Sequence, residues 1–321
     1  MPDAKLRSVA PTKIVIDCDP GIDDALAIAL AHGSPALEIV GITTVGGNVS
    51  LERTTDNALR LREFLGFPEV PVTPGAAGAM MRSAIEAAHV HGTGGLGGAI
   101  LPAPTLPVAP GHAADYIIET LRAAPGEITL VAIGPLTNIA LAVLKEPRVV
   151  EWAREFAILG GTYTRGNRTP AAEFNIAADP EAAAIVFQAG WTVTQIGLDV
   201  STTAQATGPI VERMREIGRL GTDLLIPCAT FYGMVTADDG PAIHDACALA
   251  YLADPSLIVF EPAWVEVETA GRFTSGMTVI DFNLGGRVPN ARVGTSIDVG
   301  RFWELALAAY ERVNKGLSSG V

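Results

Sequence analysis

The sequence predicts a single α/β domain with a Rossmann-like core, a mostly parallel central sheet covered by helices on both faces. Three observations carry that prediction. Short apolar runs alternate with segments of helical periodicity from residue 14 to residue 198, the pattern of βαβ units whose strands are buried on both sides. Several of these runs end in glycine, asparagine or aspartate, which suits strand ends that face a ligand in an open α/β sheet. The 321 residues are 49% hydrophobic and only 18% charged, with a mean hydropathy of +0.32, enough for a deep core and for subunit interfaces. No charged or serine-rich linker, internal repeat or low-complexity tract divides the chain. Residues 1–321 therefore read as one domain, with a flexible 1–12 and a short tail at 316–321.

The first strand, Ile14–Ile16, runs into Asp17-Cys18-Asp19-Pro20-Gly21-Ile22-Asp23-Asp24. Strand alternation puts Asp17 and Asp19 on one side. Pro20–Gly21 breaks the extended chain, and Asp23 and Asp24 open a helix, where acids suit the macrodipole. Four carboxylates in eight residues repel one another unless a cation joins them or their pKa values rise. Oxygen-rich, sulfur-poor ligands suit Ca²⁺ or Mg²⁺; a solvated acidic helix cap is the plainer alternative. Gly33 ends this helix. A second strand, Glu38–Thr44, leads into Val45–Gly46–Gly47–Asn48, then a helix over 50–65 carries Leu51, Ala58, Leu61 and Leu65 at helical spacing, and Val70–Val72 forms a short strand. Residues 75–111 are rich in Gly, Ala and Pro. Their His91-Gly-Thr-Gly-Gly-Leu-Gly-Gly98 stretch lacks the Lys-Ser/Thr ending of a P-loop and reads as a mobile flap or a close backbone approach to a ligand.

The alternation resumes with a helix over 112–123, a strand Glu127–Ile133, and Gly134-Pro-Leu-Thr-Asn138 opening a helix. A strand Glu155–Leu159, an irregular insertion to Asn175, a helix over 180–189 and a strand Thr192–Leu198 follow. Helices dominate to about residue 253, extended segments lie near 257–269, 277–282 and 291–298, and a last helix spans 301–315.

A formal charge of −13 argues against a nucleic-acid backbone or an anionic membrane surface as partner. Cys18, Cys228 and Cys247 form no disulfide framework, residues 1–13 lack a signal-peptide core, and no run of 18 apolar residues exists, so a reducing, cytoplasmic setting is expected. A thiolate at Cys18 would be disfavoured by the surrounding acids, so it reads as core.

Two further constellations carry chemistry. Asn167, Glu173 and Asn175 place two amides and a carboxylate in one loop, a set suited to gripping adjacent hydroxyls, as in a sugar. His244-Asp245 opens a helix, so His244 could act as an acid and Asp245 as a metal ligand, although a lone His-Asp pair at a helix start is more often a cap. His91 stands in the glycine loop; His32, His89 and His112 have no polar constellation around them and read as structural. A cation held by Asp19, Asp24 and Asp245 could activate a water, with Asp19 taking its proton.

These motifs together resemble the inosine-uridine-preferring nucleoside hydrolases over nearly the whole chain. The resemblance rests on Asp17-Cys-Asp-Pro-Gly-Ile-Asp-Asp24, Thr43-Thr-Val-Gly-Gly-Asn48, Gly134-Pro-Leu-Thr-Asn138, Glu173-Phe-Asn175, Gly197-Leu-Asp-Val200 and His244-Asp245, in that order. It implies hydrolysis of ribonucleosides to base and ribose on a nucleoside hydrolase-like fold. Asp19 would be both a Ca²⁺ ligand and the base that activates a Ca²⁺-bound water. Asp24, Asp245 and the Ile133 carbonyl would complete the metal site, with Asp17 supporting it from behind. Asp23, Asn48, Asn167, Glu173 and Asn175 would hold the ribose hydroxyls and 5′ end, and His91, Tyr232 and His244 would face the base, one histidine protonating it. The two histidines favour pyrimidine nucleosides slightly, and relatives are commonly homodimers or homotetramers. Gly94 and Ser275 stand where the family pattern more often has a larger residue and an arginine.

Two other readings compete. A haloacid-dehalogenase-like phosphatase would use Asp17 as nucleophile and Asp19 as acid, but Pro20 follows Asp19, and only Lys145 and Lys315 lie beyond residue 13. An inactive Ca²⁺-dependent nucleoside-binding protein is the non-enzymatic reading. An EF-hand is excluded, since the twelfth position from Asp17 is Ile28.

Overall fold

The structure is a computed structural model that describes residues 10–236 and 240–319. Its strands are β1 (Thr12–Cys18), β2 (Leu37–Thr44), β3 (Val72–Pro74), β4 (Ile128–Ala132), β5 (Glu155–Leu159), β6 (Val193–Ile196), β7 (Ile258–Val267), β8 (Thr278–Asp281) and β9 (Ala291–Ile297). All nine join one sheet in the order β3-β2-β1-β4-β5-β6-β9-β7-β8. Neighbours from β3 to β9 run parallel, while β7 is antiparallel to both β9 and β8. The expected single-domain α/β fold with a mostly parallel sheet is therefore present. The order reverses between β1 and β4, the switch point at which open α/β sheets leave a crevice beyond their carboxyl ends.

Alternation along β1 divides the core. Ile14, Ile16 and Cys18 face one apolar layer and Val15 faces the other. All four are wholly buried, and burying each such Val or Ile contributes roughly 1.5–3 kcal/mol. The first helix, Ile22–Gly33, packs on the first side against the helices His244–Ala253 and Val299–Ser319. Gly33 permits that contact: a Cβ there would sit 2.1 Å from the Ala309 carbonyl oxygen.

Several predicted elements shift. Thr12 belongs to β1 rather than to a flexible leader, and its N–H donates to the Ala36 carbonyl at 2.8 Å; residues 1–9 lie outside the described residues. Gly316–Ser319 continue the last helix rather than forming a tail, and residues 320–321 lie outside the described residues. The third strand starts two residues later than expected, at Val72, and uses Pro74, whose missing N–H is tolerated on an edge strand. The predicted insertion contains a short helix, Phe174–Ala178. His112 caps the helix Ala113–Ala123 by accepting the Ala114 N–H at 3.1 Å.

The glycine loop is more packed than a mobile flap. Asn57 Nδ2, from the helix Leu51–Leu65, donates to the Pro20 carbonyl at 2.9 Å and the Gly94 carbonyl at 2.8 Å. Gly97 has φ +57, and a Cβ on it would lie 3.0 Å from both Ile22 and Phe231. Gly95 and Gly97 thus allow the loop to approach the protein closely, whereas a Cβ on Gly94 would meet nothing within 4 Å. Ser275 is met by an arginine from elsewhere: Arg82 donates to Ser275 Oγ at 2.7 Å and the Thr269 carbonyl at 2.5 Å, and pairs with Glu181.

Candidate active site

Beyond the carboxyl ends of the parallel strands lies a cavity of about 770 Å³, lined by residues that follow β1, β2, β4, β5 and β6, among them Asp23, Asn48, Ile133, Glu173, Asn175, His91, Tyr232, His244 and Asp245. Beneath this lining sit Asp17, Asp19 and Asp24, at most 1% exposed.

Register explains Asp17. It stands opposite Thr43 of β2 and Ala132 of β4. Its Oδ1 accepts from Thr43 Oγ1 at 2.5 Å and Asn138 Nδ2 at 2.8 Å, with no partner at Oδ2 among the described residues. Burial pushes this carboxyl up to about 7 against the pull of those two donors. With no exposure and no place in the cavity wall, Asp17 lacks the access that a phosphatase nucleophile needs.

Asp24 closes the turn. Its Oδ1 accepts the Asp19 N–H at 3.1 Å, and its Oδ2 accepts the Gly21 N–H at 2.9 Å and Asn48 Nδ2 at 3.0 Å. Asp19 Oδ2 accepts the Asn48 N–H at 2.7 Å, leaving Asp19 Oδ1 buried without a hydrogen-bond partner among the described residues. Two glycines clear the space around Asp19. A Cβ on Gly47 would lie 2.1 Å from Oδ2, and one on Gly134 would lie 2.6 Å from Oδ1.

Carboxylate oxygens of Asp23, Asp24 and Asp245 lie within 4.8 Å of one another. Burial, then the Asp23 charge, pushes Asp24 up to about 7, and burial pushes Asp23 up to about 6. Burial followed by the neighbouring carboxylates drives Asp19 and Asp245 well above the usual range. A buried group of acids held at raised pKa, with Asp19 Oδ1 lacking any donor among the described residues, suits a hard divalent cation, which would take the place of their protons. The trio differs from the ligand set implied by resemblance: Asp23, expected on the sugar, lies in it, whereas the Asp19 carboxylate is directed toward Asn48 and Gly134.

The walls carry the sugar-type donors. Glu173 caps its helix, accepting the N–H groups of Asn175 at 2.8 Å, Ile176 at 3.1 Å and Gly161 at 2.9 Å; burial nevertheless raises it to about 7. Asn175 Nδ2 is spent on the carbonyls of Ile133 at 3.0 Å and Leu159 at 3.1 Å, which leaves Oδ1 as its acceptor. Asn167 is exposed and uses Oδ1 to accept the Phe174 N–H at 2.9 Å.

His91 Nδ1 accepts the Ile22 N–H at 3.1 Å, so its proton resides on Nε2. His244 Nδ1 shares a 2.8 Å hydrogen bond with Ser201 Oγ. Burial pushes both rings down to about 4; each is neutral at pH 7 and offers one N–H. Tyr232 lies with its ring centroid 6.0 Å from that of His91. Sequence reasoning missed Ser201, Asn57, Arg165, Arg168, Thr202 and Gln205, and set aside His89, which lines the cavity with the last four. Only Gly197-Leu-Asp-Val200, just ahead of Ser201, signalled any of them.

Comparison with known proteins agrees with this geometry. The family profile described as inosine-uridine preferring nucleoside hydrolase matches residues 14–304. An inosine-uridine preferring nucleoside hydrolase of Leishmania major is 43% identical over 94% of this chain and 98% of its own length. A pyrimidine-specific ribonucleoside hydrolase of Salmonella paratyphi B is 42% identical over 91% and 96%. Among solved structures, a purine-preferring ribonucleoside hydrolase from Gardnerella vaginalis superposes with a TM-score of 0.89 at 33% identity, covering 94% of this chain and 99% of that one. The chain belongs to the inosine-uridine preferring nucleoside hydrolase family, enzymes that hydrolyse N-glycosyl compounds.

Proposed function

We propose that this protein hydrolyses ribonucleosides with Ca²⁺ as its metal and Asp19 as the base, and that it favours pyrimidine nucleosides slightly. One observation carries the reading: the buried, unpartnered Asp19 Oδ1 beside a carboxylate trio beneath a cavity walled by hydroxyl-binding groups. A divalent cation held by Asp19, Asp24, Asp245 and the Ile133 carbonyl would lower the pKa of an adjacent water toward neutrality. Asp19 Oδ1 takes the proton of the attacking water while the Asn48 N–H fixes Oδ2. Asp23, Asn48, Asn167, Glu173 and Asn175 hold the ribose hydroxyls, and the carboxylates among them stabilise the oxocarbenium-like transition state. As water oxygen joins the anomeric carbon, the glycosidic electron pair leaves on the base nitrogen. The N–H of His244 or His91 meets that developing charge, with Tyr232 beside it; Asp17 braces the floor through Thr43 and Asn138.

The pyrimidine preference is supported by two histidines on the cavity wall and by the name of one close relative; another relative's name spans both base classes. Cytoplasmic placement is supported by three free, buried cysteines. Assembly as a homodimer or homotetramer is supported by exposed Ile100, Phe273 and Val288. Among the described residues, no helix is long and apolar enough to cross a membrane. The test is a nucleoside panel with metal analysis of the same preparation. Ribose release from uridine or inosine, calcium in the protein and loss of turnover by about 10³-fold in Asp19→Asn support the proposal. Full activity of Asp19→Asn would overturn the mechanism, and a tenfold preference for purines would overturn the base assignment.

A further inference from the structure

The outer cavity has the opposite charge to its floor. Arg165 and Arg168 line it and flank Asn167 in the loop from β5 to the helix Phe174–Ala178. Both are exposed, and neither guanidinium has an ion-pair or hydrogen-bond partner among the described residues. Asp199 lines the same part, but its oxygens are occupied by the Thr162 and Thr164 hydroxyls and the Tyr163 N–H.

The loop beneath the two arginines is braced. The Gly166 N–H donates to the Pro170 carbonyl at 3.1 Å, the Arg168 N–H to the Ala172 carbonyl at 3.1 Å, and the Phe174 N–H to Asn167 Oδ1 at 2.9 Å. A Cβ on Gly166 would lie 2.1 Å from the Ala172 carbonyl oxygen. The two guanidiniums therefore project from a fixed backbone, and their planar forks suit phosphate oxygens. A volume of about 770 Å³ lies in the upper half of the roughly 300–1,000 Å³ typical of small-ligand sites, with room beyond a nucleoside. The floor offers carboxylates and neutral histidines but, among the described residues, no lysine or arginine, so an anion finds its cationic partners at the mouth.

We propose that Arg165 and Arg168 form an anion subsite beside the sugar, through which the enzyme also accepts ribonucleoside 5′-monophosphates. This rests on the proposed placement of the ribose, hydroxyls and 5′ end, among Asp23, Asn48, Asn167, Glu173 and Asn175. Cleavage then yields free base and ribose 5-phosphate: water oxygen joins the anomeric carbon, the carbon–nitrogen pair and a proton leave with the base, and the phosphate ester stays intact.

The experiment compares ribose and ribose 5-phosphate as inhibitors of uridine hydrolysis, and uridine and uridine 5′-monophosphate as substrates, in the full chain and in Arg165→Ala/Arg168→Ala. Ribose 5-phosphate is expected to inhibit at about tenfold lower concentration than ribose. The double variant should abolish that difference, raise KM for the monophosphate about tenfold and leave uridine turnover within twofold. Equal inhibition by the two sugars, with uridine hydrolysis intact, overturns the anion subsite alone. Tightening confined to a nucleoside bearing a carboxylate on its base overturns its placement beside the sugar. Failure to hydrolyse any nucleoside overturns the underlying reading and this one with it.

Discussion

On the floor of the cavity every carboxylate is buried and most are anchored by named donors. At the mouth, Arg165 and Arg168 are exposed, and the loop that carries them is held through the backbone of Gly166 and Arg168 and through Asn167 Oδ1. The two regions therefore answer differently to change. A shift on the floor moves groups that touch the reacting atoms and have no alternative packing. A change at the mouth removes charge from solvent-facing side chains and alters affinity by screened, modest amounts.

The sharpest way to break this contrast is to leave every functional group in place and displace one. Gly134→Ala does so, since its Cβ would occupy space 2.6 Å from Asp19 Oδ1 while the backbone at 134 has no positive φ to strain. The expected result is a fall in kcat of about 10²-fold from sub-ångström misplacement of Asp19, with the circular dichroism spectrum unchanged. Gly47→Ala, pressing on Oδ2, should behave alike. Activity within twofold of the parent in both variants would show that Asp19 is not held as tightly as its surroundings imply.

The difference between floor and mouth also governs what could be read in advance. Asp17, Asp19, Asp23 and Asp24 fall within one strand-turn-helix, so local periodicity located them, and a charge argument asked for a cation. Glu173 and Asn175 share one loop for the same reason. That Asp23 rather than Asp19 stands in the carboxylate trio was not legible, because the direction of the Asp19 carboxylate depends on the Asn48 N–H and on two glycines from separate strand ends. Asn57 was hidden too: it follows the polar run Glu52–Asp56 in the middle of a helix, and its partners, Pro20 and Gly94, are each 37 residues away. His89 was set aside because its polar surroundings arrive from other segments. In the fold, the antiparallel strands β7 and β8 read only as extended segments, since pairing direction leaves no mark on a strand's own sequence.

Smaller effects sharpen the comparison at the wall between floor and mouth. Ser201→Ala removes the 2.8 Å partner of His244 Nδ1. A neutral hydrogen bond is worth roughly 0.5–1.5 kcal/mol, so kcat should fall up to about tenfold with KM unchanged, and Ser201→Thr should restore most of it. An equal loss in Ser201→Thr would mean that Ser201 matters for packing alone. Asn57→Ala unties the buried Pro20 carbonyl, at about 1–3 kcal/mol, and the Gly94 carbonyl, which lies nearer solvent. Its expected signature is faster amide hydrogen exchange at Gly95 and Gly97, and unchanged exchange there would show that the glycine loop is held by packing without Asn57.

The smallest effect tests the floor as a store of protons. Burial raises Asp17, Asp24 and Glu173 to about 7 and Asp23 to about 6, whereas the unfolded chain ionises such groups near 4. Through this window the metal-free folded protein binds more protons than the unfolded chain, so its stability falls as pH rises and is lost through the folded values near 7. His91 and His244, pushed down to about 4, oppose this below pH 6.5, where the unfolded chain protonates them and the fold does not. The clean interval is therefore pH 6.5 to 7.5. With chelator, Tm should drop by roughly 1–2 °C across it, the shift expected for about 1 kcal/mol in a chain of 321 residues. With saturating Ca²⁺ the drop should vanish, because the cation takes the place of the protons and binds more tightly as they leave. A metal-free Tm that instead rises between pH 6.5 and 7.5 would mean that the floor carboxylates are already ionised, and that burial alone does not set their charge.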